Sequence, residues 1–202
     1  MLYLSGKIQP KLVHPKLGWM MTPEMGNRPA EHGYIGIDNG CFSHPERFEL
    51  TRYLEYVRRI IGLCPGRVLF ATTPDVMGDS AATVRQFIET APAIRKTGVP
   101  VALVAQPGLG VEDVPWHDVD AIFLGGGTNW RSGQDAAALV KEARKRGIWV
   151  HMGMVNTERR FRAAESMGCD SVDGTFLAFG PDVNWPRLQS WINHPQKSMI
   201  IP

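Results

Sequence analysis

No C-x-x-C pair occurs in this chain, and its three cysteines, Cys41, Cys64 and Cys169, lie far apart. An odd, dispersed set excludes a disulfide framework and a zinc knuckle. The six histidines form no H-x-x-x-H pair, and the single H-x-E run, His44-Pro45-Glu46, has no C-x-x-C to accompany it, so neither a metal site nor a cofactor is expected. No apolar run approaches the ~20 residues needed to cross a bilayer, and Met1-Leu2-Tyr3-Leu4 is too short for a secretory leader. A cytoplasmic protein without a membrane partner is the expectation. Charge of one sign is not in large excess: 22 Lys and Arg against 20 Asp and Glu give a net charge of +2, short of the strongly basic footprint of a dedicated nucleic-acid binder. Low-complexity segments, linkers and internal repeats are also missing, so residues 1–202 read as one domain.

What is present is an alternation of short apolar runs with amphipathic segments. Val68-Leu69-Phe70-Ala71, Val101-Ala102-Leu103-Val104, Ala121-Ile122-Phe123-Leu124, Trp149-Val150-His151-Met152 and Ser171-Val172-Asp173 are strand-sized. Continuous apolar strands are those of a parallel sheet covered on both faces. Tyr34-Ile35-Gly36-Ile37 is a sixth, and Leu2-Tyr3-Leu4 and Trp19-Met20-Met21 supply two more. Between them, sets such as Leu50, Tyr53, Leu54, Val57, Ile60 and Ile61 recur at helical spacing. Eight strands alternating with helices predict an α/β chain folded as a compact (β/α)8 barrel, at the small end of the range for that architecture. The connection from Gln106 to Ala121 is too short for a full helix.

In such barrels the chemistry sits at the carboxyl ends of the strands. Those ends carry Asp38-Asn39-Gly40, Asp75, Gln106, Gly125-Gly126-Gly127, Met152-Gly153 and Asp173-Gly174. Taken singly, each reads as an ordinary turn or loop. Their common address at one face of the barrel is what makes them candidates for a site. Two basic clusters, Lys141, Arg144, Lys145 and Arg146, then Arg159, Arg160 and Arg162, read as solvated helix faces or as phosphate contacts.

Asp38-Asn39-Gly40-Cys41-Phe42, Pro74-Asp75, Val104-Ala105-Gln106-Pro107, Phe123-Leu124-Gly125-Gly126, Val150-His151-Met152-Gly153-Met154-Val155-Asn156 and Gly168-Cys169-Asp170-Ser171-Val172-Asp173-Gly174 occur in one order. In that order they resemble the tRNA-guanine transglycosylase superfamily, and more closely its short phage and bacterial branch, which exchanges guanine in DNA for a 7-deazaguanine. The resemblance covers roughly residues 34–188. It implies that Asp173 is the nucleophile and Asp38 the general acid and base. It further implies that Phe42 and Met152 cover the two faces of the base, that Asp75 and Gln106 bind its Watson–Crick edge, and that Gly125, Gly126 and Gly153 line its pocket. Arg131, Arg159, Arg160 and Arg162 are the candidate nucleic-acid contacts.

Two departures from the tRNA enzymes refine the expectation. Their zinc site of three cysteines and a histidine has no counterpart here, which favours DNA over tRNA, a monomer over the family's dimer, and no zinc subdomain. Their glutamate after the glycine pair is replaced by Thr128-Asn129-Trp130-Arg131, which favours a neutral 7-cyano group (preQ0) over an aminomethyl one. The expected partners are therefore DNA, with its target guanine nucleotide flipped out, and a free 7-deazaguanine base. Three alternatives stay open: a tRNA substrate, a nucleoside hydrolase or deoxyribosyltransferase using the same two aspartates, and an inactive nucleic-acid-binding barrel.

Overall fold

The computed structural model describes residues 1–26, 28–41 and 45–194. Eight parallel strands close on themselves in chain order: β1 Leu2–Ser5, β2 Leu17–Met21, β3 Ile35–Ile37, β4 Val68–Thr72, β5 Val101–Ala105, β6 Ala121–Leu124, β7 Trp149–Met152 and β8 Ser171–Gly174. Closure is made by β1 pairing with β8, with Leu4 opposite Asp173. The expected single-domain (β/α)8 barrel is thus the observed architecture. The outer layer holds α1 Leu50–Leu63, α2 Ser80–Arg95, α3 Thr128–Arg131, α4 Gln134–Lys145, α5 Glu158–Met167 and α6 Pro181–Asn193. The connection after β5 carries only a 3-10 turn, Val111–Asp113, as its length demanded. Short α3, directly after the triple glycine, had no periodic signal to announce it.

Side chains alternate between the two faces of each strand, and this sorts the apolar residues into two cores. Tyr3, Leu17, Ile35, Ile37, Leu103, Ile122, Val150 and Val172 pack in the layer between strands and helices. Leu4, Met20, Phe70, Ala102, Val104, Ala121 and Phe123 fill the barrel interior. Helix ends are set locally: Asp79 Oδ1 accepts from Ala82 N–H at 2.9 Å to start α2, Thr157 caps α5 through Arg160 N–H, and Gly168 ends α5 at a φ of 92° that glycine adopts without strain.

Helices run antiparallel to the strands they follow, so helix C-termini gather at the amino ends of the strands. Arg144, Lys145 and Arg146 lie there, at the end of α4. Lys145 and Arg146 pair with Glu142 at 3.2 and 2.9 Å, and Arg144 donates to Gly168 O. These side chains complement a helix C-terminus at the barrel end opposite the carboxyl ends of the strands. Asp170 belongs to the same end: its Oδ2 accepts from Val150 N–H at 2.8 Å, tying the starts of β7 and β8 together. Asp170→Ala should therefore lower stability by about 1–2 kcal/mol, the cost of an orphaned backbone donor, measured by urea unfolding. An unchanged midpoint would show that this bond contributes nothing.

Candidate active site

The carboxyl ends of the strands surround a cavity of about 630 Å³, within the usual span of small-molecule sites, ~300–1,000 Å³. Asp38, Asp75, Gln106, Gly125, Gly126, Arg131, Gly153 and Asp173 all line it. The two proposed catalytic aspartates therefore face one space, and they arrive there by the same rule. Asp38 follows Ile37 and Asp173 follows Val172, two residues packed outward in the helix layer, so alternation turns both carboxylates inward.

Each carboxylate has its own environment. Asp38 Oδ1 accepts from Gly40 N–H at 2.7 Å, the local turn that the Asp-Asn-Gly tripeptide makes. Burial nevertheless raises the Asp38 carboxyl to about 6, with the charges of Asp173 and Asp75 adding to the rise and the Gly40 N–H opposing it. Asp75 is held at both oxygens: Asn39 Nδ2 donates to Oδ1 at 3.1 Å and Gln106 Nε2 to Oδ2 at 2.7 Å. Burial pushes its carboxyl upward, and these two amides work against that shift. Asp173 Oδ1 contacts His151 Nε2 at 2.9 Å.

Asn39 and His151 were not singled out by the sequence. Asn39 is buried and brackets two strand ends, donating to Thr73 O at 2.6 Å while its Oδ1 accepts from Cys41 N–H at 2.6 Å. Its place inside a good turn tripeptide hid this bracing role. His151 sits at an inward position of an apolar strand, where a histidine in isolation reads as core. Its signal was the pairing of registers: His151 lies opposite Ser171, two residues before Asp173.

Several expected placements change. Met152 is buried between strands and helices and does not line the cavity. It follows inward-facing His151, so alternation sends it outward; Met154, in the left-handed region at a φ of 59°, lines the mouth instead. Arg162 is not free for phosphate. Its guanidinium pairs with Glu158 at 3.2 Å and Glu165 at 3.1 Å and donates to Trp191 O at 3.0 Å, bracing α5 on α6. Arg131 is only 4% exposed, inside the cavity rather than on an outer surface. Burial pulls its basicity down while the Asp173 charge holds it up and Arg160 lowers it; a guanidinium stays charged throughout. Arg159 is exposed and Arg160 half-buried. Phe42 lies outside the described residues.

The glycine pair keeps a cavity wall open. A Cβ on Gly125 would come within 2.9 Å of Val104 and 3.0 Å of Gln106 Nε2, and Gly126 has a φ of 62°. A second cavity of about 480 Å³ adjoins the first through Asn39 and Gly40, lined by Arg47, Arg52 and Arg59 but also by Glu24, Glu49 and Glu55. Its charges balance, so it is no cationic funnel. Among the described residues, no group of three or more His, Cys, Asp or Glu could hold a metal ion, and no helix is long and apolar enough to cross a membrane.

No family model matches the chain, and no curated protein matches it. Among solved structures, a variant of methylaspartate ammonia lyase from Clostridium tetanomorphum is similar at 17% identity with a TM-score of 0.47, over 79% of this chain and 42% of that one. This chain thus spans about two fifths of that enzyme's length, and no chemistry is carried over from it.

The Asp38 environment predicts a pH-dependent stability. Its carboxyl stands near 6 in the folded protein against roughly 4 in an unfolded chain, so the native state holds the proton more tightly. The stabilisation from this group is complete below about pH 4 and is lost as pH rises through about 6. Asp38→Asn should therefore be more stable than wild type at pH 8, by on the order of 2 kcal/mol, with the difference closing towards pH 4. Thermal unfolding at the two pH values checks this, and an equal difference at both would contradict the buried charge.

Proposed function

We propose that this protein is a base-exchanging pentosyltransferase that replaces guanine in DNA with a 7-deazaguanine, the 7-cyano compound being favoured. The observation that carries the reading is that two carboxylates of different character share one cavity with a third held between two amides. A double displacement at a sugar carbon uses a pair of carboxylates, and the third is placed to bind the base.

In the first half-reaction an Asp173 oxygen attacks C1′, the C1′–N9 bond breaks, and Asp38 supplies a proton to the departing guanine. A carboxyl raised to about 6 still holds part of its protons near neutrality, as an acid must, and is ionised often enough to act as base afterwards. In the second half-reaction the incoming deazaguanine gives its N9 proton to Asp38, N9 bonds to C1′, and the Asp173 ester bond breaks.

Asp75 suits a guanine-type edge. A carboxylate offers about four acceptor positions, and Asn39 and Gln106 occupy one on each oxygen. The remaining two can accept from N1–H and the 2-amino group, which adenine does not present together. Gln106 spends one Nε2 hydrogen on Asp75, and its Oε1 accepts from Gly78 N–H at 3.1 Å, so one amide hydrogen remains for O6. A site whose buried polar groups go unpaired with the wrong base rejects it by up to ~10⁴-fold.

DNA as the carrier of the guanine rests on the resemblance to the short branch and not on a charged groove. In a duplex the target nucleotide must flip out, at a cost of a few kcal/mol. Arg131, which lines the cavity, is the cation assigned to a phosphate of the flipped nucleotide.

Incubation with labelled guanine and guanine-containing DNA tests the reading. Label should enter the DNA with wild type and not with Asp173→Ala, and preQ0 should replace guanine on nucleoside mass spectrometry. Abasic DNA formed without any base exchange would instead make the protein a hydrolase, exchange confined to tRNA would relocate the substrate, and no reaction with either would end the proposal. Because a 7-deazapurine has no N7 to protonate, the inserted base should not be released again at a rate near that of guanine.

A further inference from the structure

Three side chains that the reaction scheme does not use form a line, on the inner faces of two adjacent strands, that ends on Asp173. Trp149 and His151 stand two residues apart on β7, Ser171 and Asp173 two apart on β8, and His151 pairs in register with Ser171. Trp149 Nε1 lies 2.9 Å from Ser171 Oγ, Ser171 Oγ lies 2.8 Å from His151 Nδ1, and His151 Nε2 lies 2.9 Å from Asp173 Oδ1.

The direction of this line follows from what each group can do. An indole N–H only donates, so Ser171 Oγ accepts from Trp149. The Ser171 hydroxyl is fully buried, and a buried hydroxyl hydrogen without an acceptor is costly. Among the described residues, His151 Nδ1 is the acceptor within its reach. With Nδ1 accepting, the ring hydrogen belongs on Nε2, where it donates to Asp173 Oδ1. The ring itself is clamped by Phe123 and Phe70, with centroids at 4.6 and 5.2 Å.

We infer that Trp149, Ser171 and His151 form a one-way hydrogen-bond chain that fixes Oδ1 of Asp173, making His151 a positioning residue and leaving Oδ2 as the oxygen that reacts. Oδ2 has no hydrogen-bond partner among the described residues, so it is free to approach C1′. As the ester forms at Oδ2, negative charge leaves the carboxylate, and the His151 N–H remains on the ester carbonyl. When the second base displaces the ester, charge returns to the carboxylate, and the same N–H receives it in place. A nucleophile held at one oxygen starts close to its reacting geometry, which lowers the entropic part of the barrier.

The catalytic part of this inference rests on the transglycosylase reading, and the chain itself does not. Two arms keep them distinguishable. In the first, ¹⁵N NMR of the histidine-labelled protein alone reports which nitrogen of His151 carries the hydrogen, the signals being identified by their loss in His151→Gln. The expected result is Nε2–H with Nδ1 accepting, with that preference weakened in Ser171→Ala. A hydrogen fixed on Nδ1 would overturn the chain. In the second, guanine exchange is compared in two variants. His151→Phe keeps the ring packing and removes the donor; its kcat should fall by roughly tenfold to a hundredfold, the loss that misplacing a reacting group by about 1 Å can bring, with KM for the base unchanged. His151→Gln restores a donor near Nε2 and should recover most of that loss. Equal loss in both variants, or a change in KM alone, would overturn the positioning role. Wild type that exchanges no base would overturn that role together with the transglycosylase reading, while the NMR arm still decides the chain.

Discussion

Carboxylates brought together in a cavity of low polarity repel one another and lose hydration, and the site depends on how this protein offsets that cost. It does so differently for each. Asp38 keeps one backbone N–H and takes up the strain as a raised affinity for its proton. Asp75 is flanked on both oxygens by amides that cannot ionise. Asp173 has an imidazole on one oxygen and a buried guanidinium, Arg131, among the charges acting on it. Environments that push like groups apart are what assign acid and base roles within one pocket. The same offsets explain why Asn39 and His151, polar residues in otherwise apolar surroundings, are retained in the interior.

The barrel was legible because its signals are strong and local. Strand-sized apolar runs such as Val101–Ala105 and Ala121–Leu124 read as parallel strands buried on both sides, and the helix stripes between them supplied the crossovers that parallel pairing requires. The addresses of Asp38, Asp75, Gln106 and Asp173 followed from the strand ends. What was less legible depended on facing direction and pairing. Met152 was expected to lie over a base, yet a shift of one residue along a strand reverses the face, and it packs outward. His151 acquires meaning only once β7 and β8 are in register, which no single-strand pattern reveals.

Charge taught a similar lesson. The two basic clusters look alike as runs of residues. In three dimensions Arg144 to Arg146 close a helix end away from the mouth, and Arg162 is spent on bracing α6. Arg131, a single cation in a four-residue helix, is among the described residues the one that enters the cavity. A surface with balanced charge beside the mouth makes any grip on a polynucleotide depend on the flipped nucleotide itself and less on long-range attraction. Binding dominated by the pocket would have a shallow dependence on salt, since few counterions are released.

The proposed exchange requires Asp173 to act as a nucleophile in the same cavity as Asp38. The most direct measurement is acid quenching of the protein with guanine-containing DNA during turnover, followed by mass spectrometry of the peptides. The expected result is a deoxyribosyl–oligonucleotide adduct on the peptide carrying Asp173, which disappears when the incoming base is added in excess. Rapid base exchange with no covalent adduct, or an adduct on Asp38 instead, would contradict it.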